Sequence, residues 1–221
     1  MSWSDTFFPD NPRRREEVVR LGQQLLSLME HNFWATNRLA TLLNREMNTG
    51  LREISVDKQK TIKENCDMLI DTIGSIQAQV AQIDSRLKEN LEPELYQKLY
   101  SLTVPLSDRI HIASRVLSGA FGVLGSGVTV AELIHKGAVL GRIVASLGRV
   151  GTCAVATVVL GVLGLGVDMV ASAILGAIER ENLERVIQEY SEALEEFRPA
   201  SEQYLENIGN VIARVQFKRG H

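Results

Sequence analysis

The sequence predicts an all-α fold: an elongated antiparallel helical bundle or coiled coil carrying an apolar, glycine-rich helical hairpin. Three observations carry that expectation. Ile62, Cys66, Leu69, Ile73, Ile76, Val80, Ile83 and Leu87 step alternately by four and three residues, which places them on one seam of a helix. Leu183, Ile187, Tyr190, Leu194, Phe197, Ser201, Tyr204, Ile208, Val211 and Val215 do the same. Between the two patterns, residues 116–178 hold five formal charges (Glu132, Lys136, Arg142, Arg149 and Asp168) and 12 of the 17 glycines.

The elements follow in order. Asp10-Asn11-Pro12 offers an N-cap and a proline at the first helical position, after the aromatic lead of Trp3, Phe7 and Phe8. The first helix then runs to about Met47 on a stripe of Val18, Leu21, Leu25, Leu28, Leu39 and Leu43 that drifts near Asn32, Phe33 and Trp34. Asn48-Thr49-Gly50 ends it, because Asn or Gly accepts the left-handed position beyond a helix. The second helix carries the first seam and closes at Pro93, with a short third helix expected over 94–102. Pro105 interrupts again, and Ser107 and Asp108 are cap candidates for the helix entering the apolar segment. The last helix carries the second seam, with a kink expected at Pro199.

This divides the chain into N-terminal coiled-coil helices (1–115), an apolar membrane-interacting segment (116–178) and a C-terminal coiled-coil helix (179–221). Within the segment, Val150 to Val167 is uncharged for 18 residues, and at about 1.5 Å per residue such a helix approaches the thickness of a bilayer's hydrocarbon layer. Two geometries fit. A single helix over about 150–178 would cross the membrane and put the two seams on opposite sides. A hairpin of helices over about 116–134 and 150–178, with His135 to Arg149 as its polar turn or a short amphipathic helix, would let both seams zip together with the first helix. The hairpin is preferred because it satisfies both seams inside one chain. Gly137 and Gly141, and the cluster Gly161, Gly164 and Gly166, would allow close helix approach. A buried core hairpin of a helical scaffold shares the same composition.

Charge and motifs narrow the function classes. Lys and Arg against Asp and Glu count 15 to 16 in residues 1–115, 3 to 2 in 116–178 and 6 to 9 in 179–221, so no segment is a nucleic-acid footprint. The cationic run Arg13, Arg14 and Arg15 is offset directly by Glu16 and Glu17 and reads as a solvated helix start. Glu132 and His135 have the Glu-x-x-His spacing of di-metal bundles, but no second copy exists, and the pair reads as a polar mark where the hairpin turns. His31, His111 and His221 have no ligand partners at useful spacing. Gly125-Ser126-Gly127 is not a nucleophile elbow, and no glycine run has the spacing of a phosphate loop. Asp168 is an acid in an apolar helix, read as a partner for Arg142 or Arg149 or as a boundary group. Cys66 and Cys153 fall in two different settings, a seam and the apolar segment, so free thiols in a reducing compartment are expected. The N-terminus lacks the pattern of a secretory signal peptide. No enzyme, cofactor, metal or small-molecule substrate is expected. The expected partners are a lipid bilayer and a second copy or another coiled-coil protein.

Residues 8–18 (FPDNPRRREEV), 61–67 (TIKENCD), 91–96 (LEPELY), 163–169 (LGLGVDM) and 197–202 (FRPASE) resemble, in order, the vertebrate family named single-pass membrane and coiled-coil domain-containing protein 3. That resemblance implies a membrane-associated coiled-coil protein and favours a single span. It implies no activity and no site residues. The mounting of an apolar hairpin on long helices is also similar, as architecture alone, to helical pore-forming toxins and apolipoprotein-L-like proteins.

Overall fold

The computed structural model describes residues 10–112, 126–163 and 183–217. Among these the fold is all-α, with one isolated antiparallel bridge between Thr61 and Val159. The helices are α1 (Asn11–Met47), α2 (Ile62–Asn90), α3 (Pro93–Tyr100), α4 (Ser126–His135), α5 (Gly137–Thr152), the short α6 (Leu160–Leu163) and α7 (Leu183–Phe217), with a 3-10 turn at Ala154–Thr157. Residues 106–112 are also helical.

The sequence signals for the long helices hold. All eight seam positions of α2 are buried, and so are those of α7 except the half-buried Ile187. α1 stops where Asn48 takes a φ of 51° and Gly50 one of 69°. α7 passes through Pro199 at an exposed position, where water can serve the carbonyl left without a partner. Smaller boundaries shift. The third helix starts on Pro93 and stops at Tyr100, two residues short of Leu102, because Ser101 is already extended. Ser107 and Asp108 lie inside the helical turn rather than capping it, since Asp108 and Arg109 both donate to the Pro105 carbonyl.

In its described part the apolar segment lacks the continuous helix from Val150 that both expected geometries share. A helix from Val150 onward does not continue: Cys153 and Val158 are extended, with ψ of 152° and 132°. At this break the chain docks on the loop before α2. Ile62 donates to the Val158 carbonyl at 3.0 Å, Leu160 to the Lys60 carbonyl at 3.0 Å, and Gly161 to the Lys58 carbonyl at 2.7 Å. A Cβ on Gly161 would lie 2.7 Å from that Lys58 oxygen, so this glycine serves approach of a loop rather than of a helix. Among the described residues nothing stands within 4 Å of where a Cβ on Gly137 or Gly141 would lie, so neither makes a close helix contact there. After His135 ends α4 and Lys136 turns, the rest of the stretch to Arg149 takes the amphipathic option within α5, with Leu140, Ile143, Leu147 and Val150 buried at i, i+3, i+7 and i+10. Asp168, Gly164, Gly166, His221 and the segment ends near Val116 and Ile178 lie outside the described residues.

The chain forms two compact units. The first comprises Met1–Phe33, Ser55–Ile70 and Arg142–Glu202. Its buried side chains include Val18, Leu25, Met29, Cys66, Leu69, Leu147, Val155, Tyr190 and Phe197. Here α1 and α7 run in the same direction, because their partners rise together: Arg14 with Glu184, Gln24 with Arg198, and Asn32 with Ser201 at 2.9 Å. α5 runs antiparallel to α7: Arg149 meets Glu196, and just beyond α5 the Cys153 thiol lies 3.8 Å from the Glu189 carbonyl. Cys66 and Cys153 therefore share one unit, both as buried free thiols. Gly151, two residues before Cys153, places its Cβ direction 3.7 Å from the Cys66 Cβ, so the two settings read from the sequence belong to one core. The second unit comprises Trp34–Ile54, Asp71–Gly141 and Gln203–His221, and buries Leu39, Leu43, Ile73, Ile76, Leu99, Leu133 and Tyr204.

Candidate functional site: a buried charge cluster on the apolar segment

The second unit holds the one acid that the apolar segment carries before Asp168. Glu132 sits on α4, whose sequence SGVTVAELIH is otherwise nearly free of charge. Val128, Thr129, Val130, Ala131 and Leu133 around it are all buried, so α4 is enclosed on almost every side. A carboxylate in such a place requires cations. It has two. Arg109, on helical residues 106–112, donates from Nη2 to Glu132 Oε1 at 3.2 Å, and Arg214, on α7, donates from Nη1 to Oε2 at 2.7 Å. Each carboxylate oxygen thus has its own guanidinium, a charge-assisted arrangement.

The cluster is asymmetric. The Arg109 side chain is 5% exposed and Glu132 2%, while Arg214 is 49% exposed. Two cations face one anion. Arg109 Nε and Nη1 are buried and have no acceptor among the described residues. A half-satisfied buried guanidinium costs stability that its single hydrogen bond only partly offsets.

A second polar contact lies near the same end of α4, between α3 and α2. The Tyr96 and Tyr100 hydroxyls both donate to Asp84 Oδ1 on α2, Tyr96 at 3.0 Å, and the Tyr100 ring centroid lies 6.5 Å from that of His135. Burial foremost, then the Asp84 carboxylate, pushes the Tyr100 hydroxyl far above the ordinary tyrosine range, so it remains a donor. Glu132 and His135 therefore do not converge: one meets arginines and the other an aromatic ring. Among the described residues no group of three or more acidic, His or Cys side chains could hold a metal. The arrangement can grip α4 through its paired charges.

The other residues singled out from the sequence lie elsewhere. Arg14 pairs with Glu184 and Asn11 in the first unit, and His31 and His111 are exposed. Burial pushes the Cys66 thiol up to about 12, and raises the fully buried Tyr190 hydroxyl well above its usual value. Arg109 and Arg214 escaped sequence reasoning because they stand 23 and 82 residues from Glu132. The available signal was the acid itself, which had to find a cation somewhere.

No solved structure matches this chain. A family model described as Protein of unknown function (DUF4533) matches residues 14–172. The matched stretch runs from α1 into the apolar segment and contains Arg109 and Glu132, while Arg214 lies beyond it. Since it covers most of the 221 residues, the chain belongs to the DUF4533 family of proteins of unknown function.

Proposed function

We propose that this chain is a membrane-associating helical protein whose apolar segment, packed on its own helices in the form described above, reaches a bilayer by leaving that packing. One observation carries the reading: Val150 to Val167 is uncharged and long enough to cross a hydrocarbon layer if straight, yet its described part is bent at Cys153–Val159 and pinned by main-chain hydrogen bonds to Lys58–Ile62. A run that must only fill a core has no need of such length without charge. Resemblance to the single-pass membrane and coiled-coil family supports the same reading. Self-association of inserted copies, with permeabilisation of the bilayer, is its further step.

A second reading is a helical scaffold or interaction protein in which the segment is permanent core. Two observations favour it: no described helix is long and apolar enough to cross a membrane, and the inward side chains from Val128 to Leu163 are buried. Flotation with phosphatidylcholine–phosphatidylserine vesicles, paired with release of an entrapped dye, separates the readings. Co-flotation supports membrane association, and dye release adds permeabilisation. A chain that stays at the bottom of the gradient at every lipid composition belongs to the second reading.

A further inference from the structure

We infer that the Glu132 ion pairs with Arg109 and Arg214 form a latch that keeps α4 in its packed position and must open before the apolar segment can engage lipid. The inference rests on the membrane reading proposed above and adds to it the contact that controls release.

Glu132 is the only acidic residue between 116 and 167, and every other side chain from Val128 to Leu133 is uncharged and buried. The ion pairs are therefore the charge-assisted contacts by which α4 is held, and they tie it to two segments outside the apolar region. Removing the acid would strand one wholly buried cation beside a half-exposed one, a much larger loss than cutting a surface pair. The closed state is also incomplete. Among the described residues Arg109 Nε and Nη1 are buried without acceptors, and opening would hydrate both. A contact strong enough to hold, yet paired with donors that gain partners on release, has the energetics of a two-state element. Glu132 further sets the order of events, because an unpaired carboxylate carried into hydrocarbon would oppose insertion. The pairs must break, and the acid must be neutralised or stay at the interface, before α4 can follow the segment into lipid.

Amide hydrogen exchange on the full-length chain tests the latch without any membrane, and flotation tests its consequence. In Glu132→Gln, exchange across Ser126–His135 should accelerate at least tenfold, while Ile62–Ile70 in the other unit keeps its protection. The fraction floating with phosphatidylcholine–phosphatidylserine vesicles should rise severalfold. Adding Arg109→Met to that variant removes the stranded cation without rebuilding an ion pair, so the double variant should keep most of both increases, and full recovery would assign the single variant's effect to the stranded cation and overturn the latch. Unchanged exchange in Ser126–His135, or equal acceleration in Ile62–Ile70, overturns the latch, the latter because it reports general destabilisation. Local opening with no gain in flotation, in a starting chain that itself floats, overturns control of lipid access and leaves the membrane reading standing. If no variant floats at all, the membrane reading fails, and the latch falls with it as a lipid gate.

Discussion

Single side chains decide how tightly each unit closes. Ile76 is fully buried on the α2 seam, so Ile76→Asp places an unpaired carboxylate in apolar surroundings and should cost about 3–5 kcal/mol. Urea unfolding checks it, and an unchanged midpoint would refute the seam register. Gly161 faces a different constraint, because the atom in its way is the Lys58 carbonyl, which belongs to backbone and cannot swing aside. Gly161→Ala should cost about 2 kcal/mol by pushing its segment away from the Lys58 carbonyl, measured as a fall in Tm. Gly22 makes a useful contrast: its Cβ would meet the Leu163 Cδ2 at 2.8 Å, the far end of a flexible side chain that can yield. The periodic positions were legible from sequence because a seam repeats. Gly161 was legible only as one glycine among many, since the carbonyl that requires it lies about a hundred residues away.

At the scale of elements, the start of α2 shows how local chemistry fixes a boundary. Thr61 and Glu64 form a capping box: the Thr61 amide donates to Glu64 Oε2 at 2.8 Å and the Glu64 amide to Thr61 Oγ1 at 3.2 Å. The pattern Thr-x-x-Glu stands openly in the sequence. Thr61→Ala should lower stability by about 1 kcal/mol in thermal unfolding. The hydrogen bonds from Thr61 hold the Glu64 carboxyl below the ordinary range, so the stability it adds is present above that range and is lost as pH falls through its lowered value. Connections were less legible. The loop after α1 is held by asparagine amides that pair with backbone: Asn37 exchanges hydrogen bonds with Ile54 (2.6 and 2.9 Å), and Asn44 does so with Leu51 (2.7 Å each way). In the first unit Asn65 holds Asp57 in the same way, at 2.9 Å in both directions. Asparagine in a helix reads as polar surface until the loop it grips is known.

For the whole molecule, the buried titrating groups set an alkaline limit. Burial pushes the Cys66 thiol from 9.0 up to about 12 and the Tyr204 hydroxyl from 10.0 up to about 12. Their folded values exceed their unfolded ones, so the stability they contribute is complete below about 9 and is lost as pH rises toward 12. Tm should therefore decline across that interval, and a Tm that holds constant to pH 11 would contradict the burial of both groups. The sequence by itself determined the class of fold, the long helices and their inward faces, because 3.6-residue periodicity and turn residues act within a few positions of one another. It also determined that the middle of the chain is apolar and glycine-rich. Only the tertiary structure decided that α1 and α7 run in parallel, that the uncharged run bends at Cys153–Val159 to pair with Lys58–Ile62, and that Glu132 is shared by Arg109 and Arg214. Each of these joins residues far apart in sequence, and such pairings are chosen by the competition among all buried surfaces at once, which no local pattern encodes.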